Sequence, residues 1–541
     1  MMRLSKKTGD LIQKLYGEQS FWGKLIGQHD FPLSVLDEIA SEGEALAIPY
    51  VTEFLLSNHV DVREAVARTI GRLLANVKPT DFPELDESCR GHWPFWSAPA
   101  KWPHLKPADV KQFWHLPNAL SVIGCTSFHG SGFIREAAVN ELANKRDGAE
   151  LPFLLVRLND WVGVVRESAA TAIVNRICPD YAGHFLRNLH LVLRLRSCGR
   201  SQHEIIIRRI TALLQDPSAA PILREGILSK DRWLRRESFQ LAIAMKSEQG
   251  MTLIREMLSD ADPIMRLRAA RNVVVRLEDG ELRPILLELI QDRFVIIRCE
   301  ALTALAKIFS AESRDHLDMA LMDGSASVRA TARFWIKAQR PETNFAEMYR
   351  NTLPEPRAKR LRAAILGLAE TGKASDAGAV LALLDAPALS VRKAAIHALA
   401  TLDGDHYLEH FVAALTNDHA GISDEAARAL AKRTNTIIDQ LYLLFKNPAP
   451  AHVRTNLFIL MQNLPFWARG IFLFEALRDR DEYVVELGLQ ALQNWLSESR
   501  NMATPPTKSD VQQLSNALKA SGGMLSKQDV QELEFFLRTY K

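Results

Sequence analysis

Two short patterns in this 541-residue sequence carry residue types able to grip a metal ion. The first is the run HYLEH, His406 to His410. Two histidines four apart share one helix face, and the intervening Glu409 could act as a base on zinc-bound water. The run falls inside a regular repeat, however, and no distant third ligand stands out, so the expectation is a chance match. The second is the pair of spacings Cys89-x-x-His92 and Cys125-x-x-x-His129. Two Cys/His pairs could close a tetrahedral zinc site, but their separation is longer than in common fingers, and a free cysteine is usually just buried. No metal and no cofactor is assigned. There is no Gly-x-x-x-x-Gly-Lys-Ser/Thr loop and no Gly-x-Ser-x-Gly elbow. No nucleophile, base and oxyanion donor come together, so no catalytic residue is named.

Binding chemistry is better represented. From Arg187 to Arg236 the chain holds eleven Lys plus Arg against four Asp plus Glu. Arg194, Arg196, Arg200, Arg208, Arg209, Arg232 and Arg236 are the candidate anion-binding set. Clustered guanidiniums suit phosphates or carboxylates, which they bind through paired hydrogen bonds; a solvated helix face is the plainer reading. The stretch GHWPFWSAPAKWPHLKP, Gly91 to Pro107, concentrates Trp93, Trp96 and Trp102 among prolines, with Trp114 close behind. These tryptophans either plug the neighbouring structure or anchor a partner, since Trp is a common interface hot spot.

The whole chain sets limits on both readings. Apolar residues make up 47% and charged residues 24%, with a formal net charge of only +3, so no global charge drives it to nucleic acid. Five cysteines without a close-spaced pairing argue for a reducing compartment. The N-terminus lacks an apolar run after its basic start, and no window is long and apolar enough to span a membrane. A soluble cytoplasmic protein is expected.

What positions these residues is a repeat. A β-branched or aliphatic residue followed by Arg recurs as VRESAATAI at Val165, MRLRAARNV at Met265, IRCEALTAL at Ile297, VRATARFWI at Val328 and VRKAAIHAL at Val391. The arginines at 235, 266, 298, 329, 362 and 392 are spaced by 31, 32, 31, 33 and 30 residues. The register continues through Ser423, Arg454 and Glu486. Each unit is long enough for two helices and two short loops. In one unit Val391, Ala394, Ala395, Ala398 and Leu402 recur at helical spacing, Ser390 could cap that helix, and Gly404 could end it at positive φ. One hairpin cannot bury its own stripe, so the units must stack.

The repeat resembles the HEAT-repeat superfamily, most closely the short repeats of the phycobilisome-lyase HEAT-like kind. The resemblance is strongest from about Gly132 to Ser499 and implies an all-α solenoid, a right-handed superhelix of about a dozen helical hairpins. It also implies that the motif arginine bonds an acidic or carbonyl group of the adjoining repeat, which gives Arg166, Arg266, Arg298, Arg329 and Arg392 a structural role.

The expected organisation is N-terminal helical repeats over 1–78, a Trp/Pro-rich insert over 79–118 with little helix before Ala108, a solenoid over 119–500 with an irregular basic segment near 187–236, and a helical cap over 501–541. The second helices should line a concave face bearing Arg68, Arg236, Arg271, Lys393, His397 and Arg428. The function expected is a non-catalytic scaffold that holds a macromolecule, with protein favoured. Nucleic-acid binding through the basic segment is the alternative, and bilin-lyase-like or chaperone-like activity follows only from the resemblance.

Overall fold

The computed structural model describes residues 4–17, 32–91, 102–499, 502, 504–521, 523 and 525–538. Every regular element among them is helical, and no helix is long and apolar enough to cross a membrane. The chain divides into two compact units, Met1–Arg276 and Leu277–Lys541.

Each unit is built from helical hairpins. In the first, Leu151–Arg157 precedes Gly163–Val174, Ala220–Ile227 precedes Arg232–Ala244, and Glu248–Glu256 precedes Pro263–Arg276. In the second, the pairs include Asp279–Leu289 with Val295–Ile308, Ser313–Ala320 with Ala326–Gln339, and Phe345–Asn351 with Ala358–Thr371. The helix Leu389–Asp403 shows how a hairpin joins its neighbours. Val391, Ala394, Ala395, Ala398 and Leu399 are buried on one stripe, and the alanines let adjacent helices approach closely. Each fully buried Val or Leu contributes about 1.5–3 kcal/mol, a gain available only when the next hairpin covers the stripe.

The motif arginine locks the loop that turns one helix into the next. Its Nη1 donates to the carbonyl six residues earlier: Arg63 to Ser57 at 2.7 Å, Arg166 to Asp160 at 2.7 Å, Arg266 to Asp260 at 2.8 Å, Arg298 to Asp292 at 2.8 Å and Arg329 to Asp323 at 2.7 Å. In four repeats the arginine also reaches an aspartate twenty-five residues ahead. Arg135 grips Asp160 with two bonds of 2.8 and 2.7 Å, Arg298 grips Asp323 at 3.0 and 2.8 Å, Arg235 meets Asp260 at 2.6 Å, and Arg454 meets Asp479 at 2.8 Å. Each of these aspartates also accepts the backbone N–H two residues on, from Val162, Asp262, Ser325 and Asp481. One carboxylate thus fixes its own loop and ties it to the preceding repeat. These are charge-assisted bonds, the stronger kind.

The ladder is not continuous: Ser88, Leu191 and Gln291 stand twenty-five residues beyond Arg63, Arg166 and Arg266, and further gaps follow. Twenty-five residues beyond Arg329, Arg362 and Arg392 stand Pro354, Pro387 and Asn417. Arg329 turns to Glu370 instead, which it shares with Arg333. Arg392 leaves its buried Nε without a hydrogen-bond partner among the described residues. Ser423 takes the arginine slot by donating to the Leu415 carbonyl at 2.7 Å and accepting from Asn456.

Four local expectations need correction. An α-helix, Phe82–Gly91, forms within the Pro-rich stretch, because Pro79 opens the preceding turn and Pro83 lies in the first helical turn, where a missing N–H costs nothing. Ser390 lies inside its helix and does not cap it; the N-cap is Ala388. Gly404 has φ −64°, so positive φ is not its reason. A Cβ there would fall on the Arg433 guanidinium, which reaches past it to Asp405 and the Ala400 carbonyl. Finally, Val484 is the buried residue equivalent to Val453, which puts Val485 in the arginine slot and leaves Glu486 exposed. The pair Val484-Val485 permits either register by sequence, and the buried Gly488 and Leu492 decide it.

Candidate functional site

The first unit encloses an unusually ionic interior. Asp160 accepts from Arg135 and, at 2.9 Å, from Arg157, and all three side chains are fully buried. Arg157 also pairs with Asp86, which Arg90 grips from one turn along the helix Phe82–Gly91. Burial opposes ionisation of Asp160, but the Arg135 hydrogen bond and the charges of Arg157 and Arg135 outweigh it and hold the carboxyl below its ordinary value. A second buried group lies alongside: Glu150 accepts from Arg176 at 2.6 Å and from the Tyr181 hydroxyl at 2.9 Å.

Above the first cluster stands Trp161, 59% exposed. The guanidinium carbons of Arg90 and Arg135 lie 5.5 and 5.4 Å from its ring centroid, so two cations brace an exposed aromatic face. The Asp160 carboxylate accepts the Val162 N–H and the Asp160 carbonyl accepts from Arg166, which fixes the loop on either side of it. Phe133 is 75% exposed and Val164 51% exposed. They stand two residues before Arg135 and Arg166 respectively, at the starts of adjacent packed helices. Trp161, Phe133 and Val164 therefore form an apolar edge on a rigid ionic base. Sequence reading missed it because it looked for unusual composition. The available signal was alignment of the repeats: the residue after the ladder aspartate is Ala261, Gly324 and Arg480 elsewhere, and Trp only here.

The tryptophans singled out by sequence lie elsewhere. Trp93 and Trp96 fall outside the described residues, as does His92. Trp102 is half-buried against Phe113 and His129. Trp114 is half-buried, donates from its indole N–H to Glu141 at 2.7 Å and carries the Lys145 ammonium 4.4 Å from its ring centroid. Both are engaged with their own chain. Cys89, Cys125 and His129 line one small cavity with Trp102. His129 accepts the Ser131 N–H on Nδ1 and meets the Trp102 carbonyl through Nε2 at 3.0 Å, so both ring nitrogens are engaged. Burial lowers its pKa, which fits a neutral ring donating from Nε2. Burial pushes both thiols well up, the opposite of what a thiolate ligand needs. No group of three His, Cys, Asp or Glu among the described residues is arranged to hold a metal, and this includes His406, Glu409 and His410.

The basic segment is partly neutralised. Arg208 pairs with Glu204, Arg236 with Asp262 at 2.7 Å, and Arg232 approaches the same Asp262 at 3.8 Å. Arg200 donates to the Asn159 carbonyl. Arg194, Arg196 and Arg209 are exposed and have no carboxylate partner among the described residues. Of the residues expected on the second helices, Arg68 pairs with Glu64 and Arg271 is exposed with a partner of its own. Lys393, His397 and Arg428 converge on Glu425. Burial raises the pKa of that carboxyl, and the His397 hydrogen bond with the Arg428, His397 and Lys393 charges lowers it further than burial lifts it.

Residues 251–335 match the family model for HEAT repeats. No curated protein matches the chain. Among solved structures, human deoxyhypusine hydroxylase is similar at 16% identity over 47% of this chain and 97% of its own, with a TM-score of 0.20. Kap121p is similar at 11% identity over 98% of this chain and 65% of its own, with a TM-score of 0.33. A Kap95p structure with RanGDP gives 13% identity over 92% and 66%, with a TM-score of 0.35. Likenesses this distant carry no functional argument.

Proposed function

We propose that this HEAT-repeat protein is a non-catalytic scaffold that holds a protein partner, with Trp161, Phe133 and Val164 as central contacts. The observation that carries this reading is the exposure of three large apolar side chains on one edge of two adjacent hairpins, over a base of buried ion pairs that keeps them in place. Rigid exposed aromatics lose little freedom on binding, and the arginines beside Trp161 add polar specificity around it. The test is affinity purification from the native host with the full chain and with a Phe133→Ser/Trp161→Ala variant. The scaffold reading expects a stoichiometric protein partner with the first and its loss with the second. An equal yield of partner from both would sink the role given to this edge.

A second reading has its own observation. Arg194, Arg196 and Arg209 are exposed and lack carboxylate partners among the described residues, which leaves them available to phosphates. Nucleic-acid binding would appear as duplex DNA affinity whose salt slope falls by about one per neutralised arginine. Absence of binding at low salt would remove it. Trp93, Trp96, Trp102 and Trp114 remain proposed contacts only as extensions of the first reading.

A further inference from the structure

One gap in the arginine ladder leaves two cations without partners at one place. Pro387 stands where the aspartate for Arg362 would be. Arg362 makes no hydrogen bond or ion pair among the described residues, and neither does the exposed Lys359 one turn earlier on the helix Ala358–Thr371. Both line a cleft of about 810 Å³ in the second unit. Its other walls come from the loop before Val295–Ile308 and from the end of Ser313–Ala320 with the loop that follows. That volume lies within the range of preformed ligand sites.

The lining fixes the chemistry of the occupant. Arg293, Arg298, Lys359 and Arg362 face Asp292 and Asp323, so four cationic side chains meet two carboxylates. Arg298 and Asp323 are already paired with each other. Met319, 70% exposed, and Met322 supply an adaptable apolar wall. A dianionic phosphate would meet both bordering carboxylates, and the aromatic ring of the lining is the imidazole of His316 rather than a Phe, Tyr or Trp. A single carboxylate beside an apolar side chain suits both the charge and the wall. Arg135, Arg298 and Arg454, in the corresponding slot, are each completed by a carboxylate.

We propose that this cleft binds a short acidic segment of the partner protein, an Asp or Glu carboxylate meeting Arg362 and Lys359 while the next apolar side chain lies on Met319. The proposal rests on the scaffold reading but uses a different surface. The probe is a fluorescein-labelled peptide, Gly-Leu-Glu-Leu-Glu-Leu-Gly, titrated with the full chain at low salt and followed by anisotropy. Saturable binding is expected, weakened about tenfold or more by Lys359→Glu/Arg362→Glu and by a smaller factor by Lys359→Glu alone. The single variant alters a solvated side chain, so its folding is not at risk, and unchanged thermal unfolding of the double variant validates the comparison. Absent binding, binding unaffected by either variant, or a labelled single-stranded oligonucleotide held more tightly than the peptide through these residues would overturn it. The two readings fail separately. Partner capture that depends on Trp161 but not on Arg362 leaves the scaffold standing and removes the cleft; peptide binding without any captured partner does the reverse.

Discussion

Asp160 is the residue on which the buried ion pairs of Arg135 and Arg157 converge. It faces Arg135 and Arg157, both fully buried, and fixes the loop that carries Trp161. Removing one member of a buried ion pair strands the other charge, which typically costs about 3–5 kcal/mol. Asp160→Ala is expected to lose stability of that order in chemical denaturation, and a loss under 1 kcal/mol would contradict the account. The same carboxyl predicts an acid dependence. Its folded pKa lies below its ordinary value, so its stabilisation is fully present above the ordinary carboxylate range and is lost as pH falls through the folded pKa. Unfolding curves of the native chain should shift between about pH 4 and lower values, and Asp160→Asn should flatten that part of the profile.

At the scale of the element, the ladder explains why the hairpins keep their phase and where they do not. Asn417 occupies the ladder position ahead of Arg392 and accepts the His419 N–H at 3.0 Å, as the aspartates do for their loops. It makes no hydrogen bond to Arg392 among the described residues. Asn417→Asp is therefore expected to raise stability by about 1 kcal/mol through the buried Nε of Arg392, read as a higher thermal midpoint. A lower midpoint would show that the aspartates act on their loops alone. Much of this element was legible in sequence, because the aliphatic-Arg pair and its period of about 31 residues come directly from stacking geometry. Of the arginines expected to bond the adjoining repeat, Arg298 reaches Asp323 and Arg329 reaches Glu370, whereas Arg166 and Arg266 donate to the carbonyl of their own loop and the buried Nε of Arg392 has no hydrogen-bond partner among the described residues. What was not legible depends on three-dimensional neighbours. The register at Val484 turns on which of two valines meets the core. The constraint on Gly404 comes from Arg433, a full repeat away.

At the scale of the molecule, the fold was readable and the proposed contact edge was not. Repetition writes the hairpin into the sequence many times over, whereas a contact surface is written once, as a departure from the repeat. The most visible departure was the tryptophan-rich insert, yet its described members, Trp102 and Trp114, bond to their own chain. The quieter departure, a tryptophan beside the ladder aspartate, carries an exposed ring. Composition marks what is unusual; exposure requires knowing what covers it. The three cations around Glu425 make the same point, since helical phase did not reveal the carboxylate between Lys393, His397 and Arg428. The most direct measurement is the purification of the native chain and the Phe133→Ser/Trp161→Ala variant from the host, with bound protein and nucleic acid both quantified. The account predicts a stoichiometric protein on the native chain that is lost from an equally folded variant. A variant that retains the same protein, or a native chain that carries only nucleic acid, would contradict it.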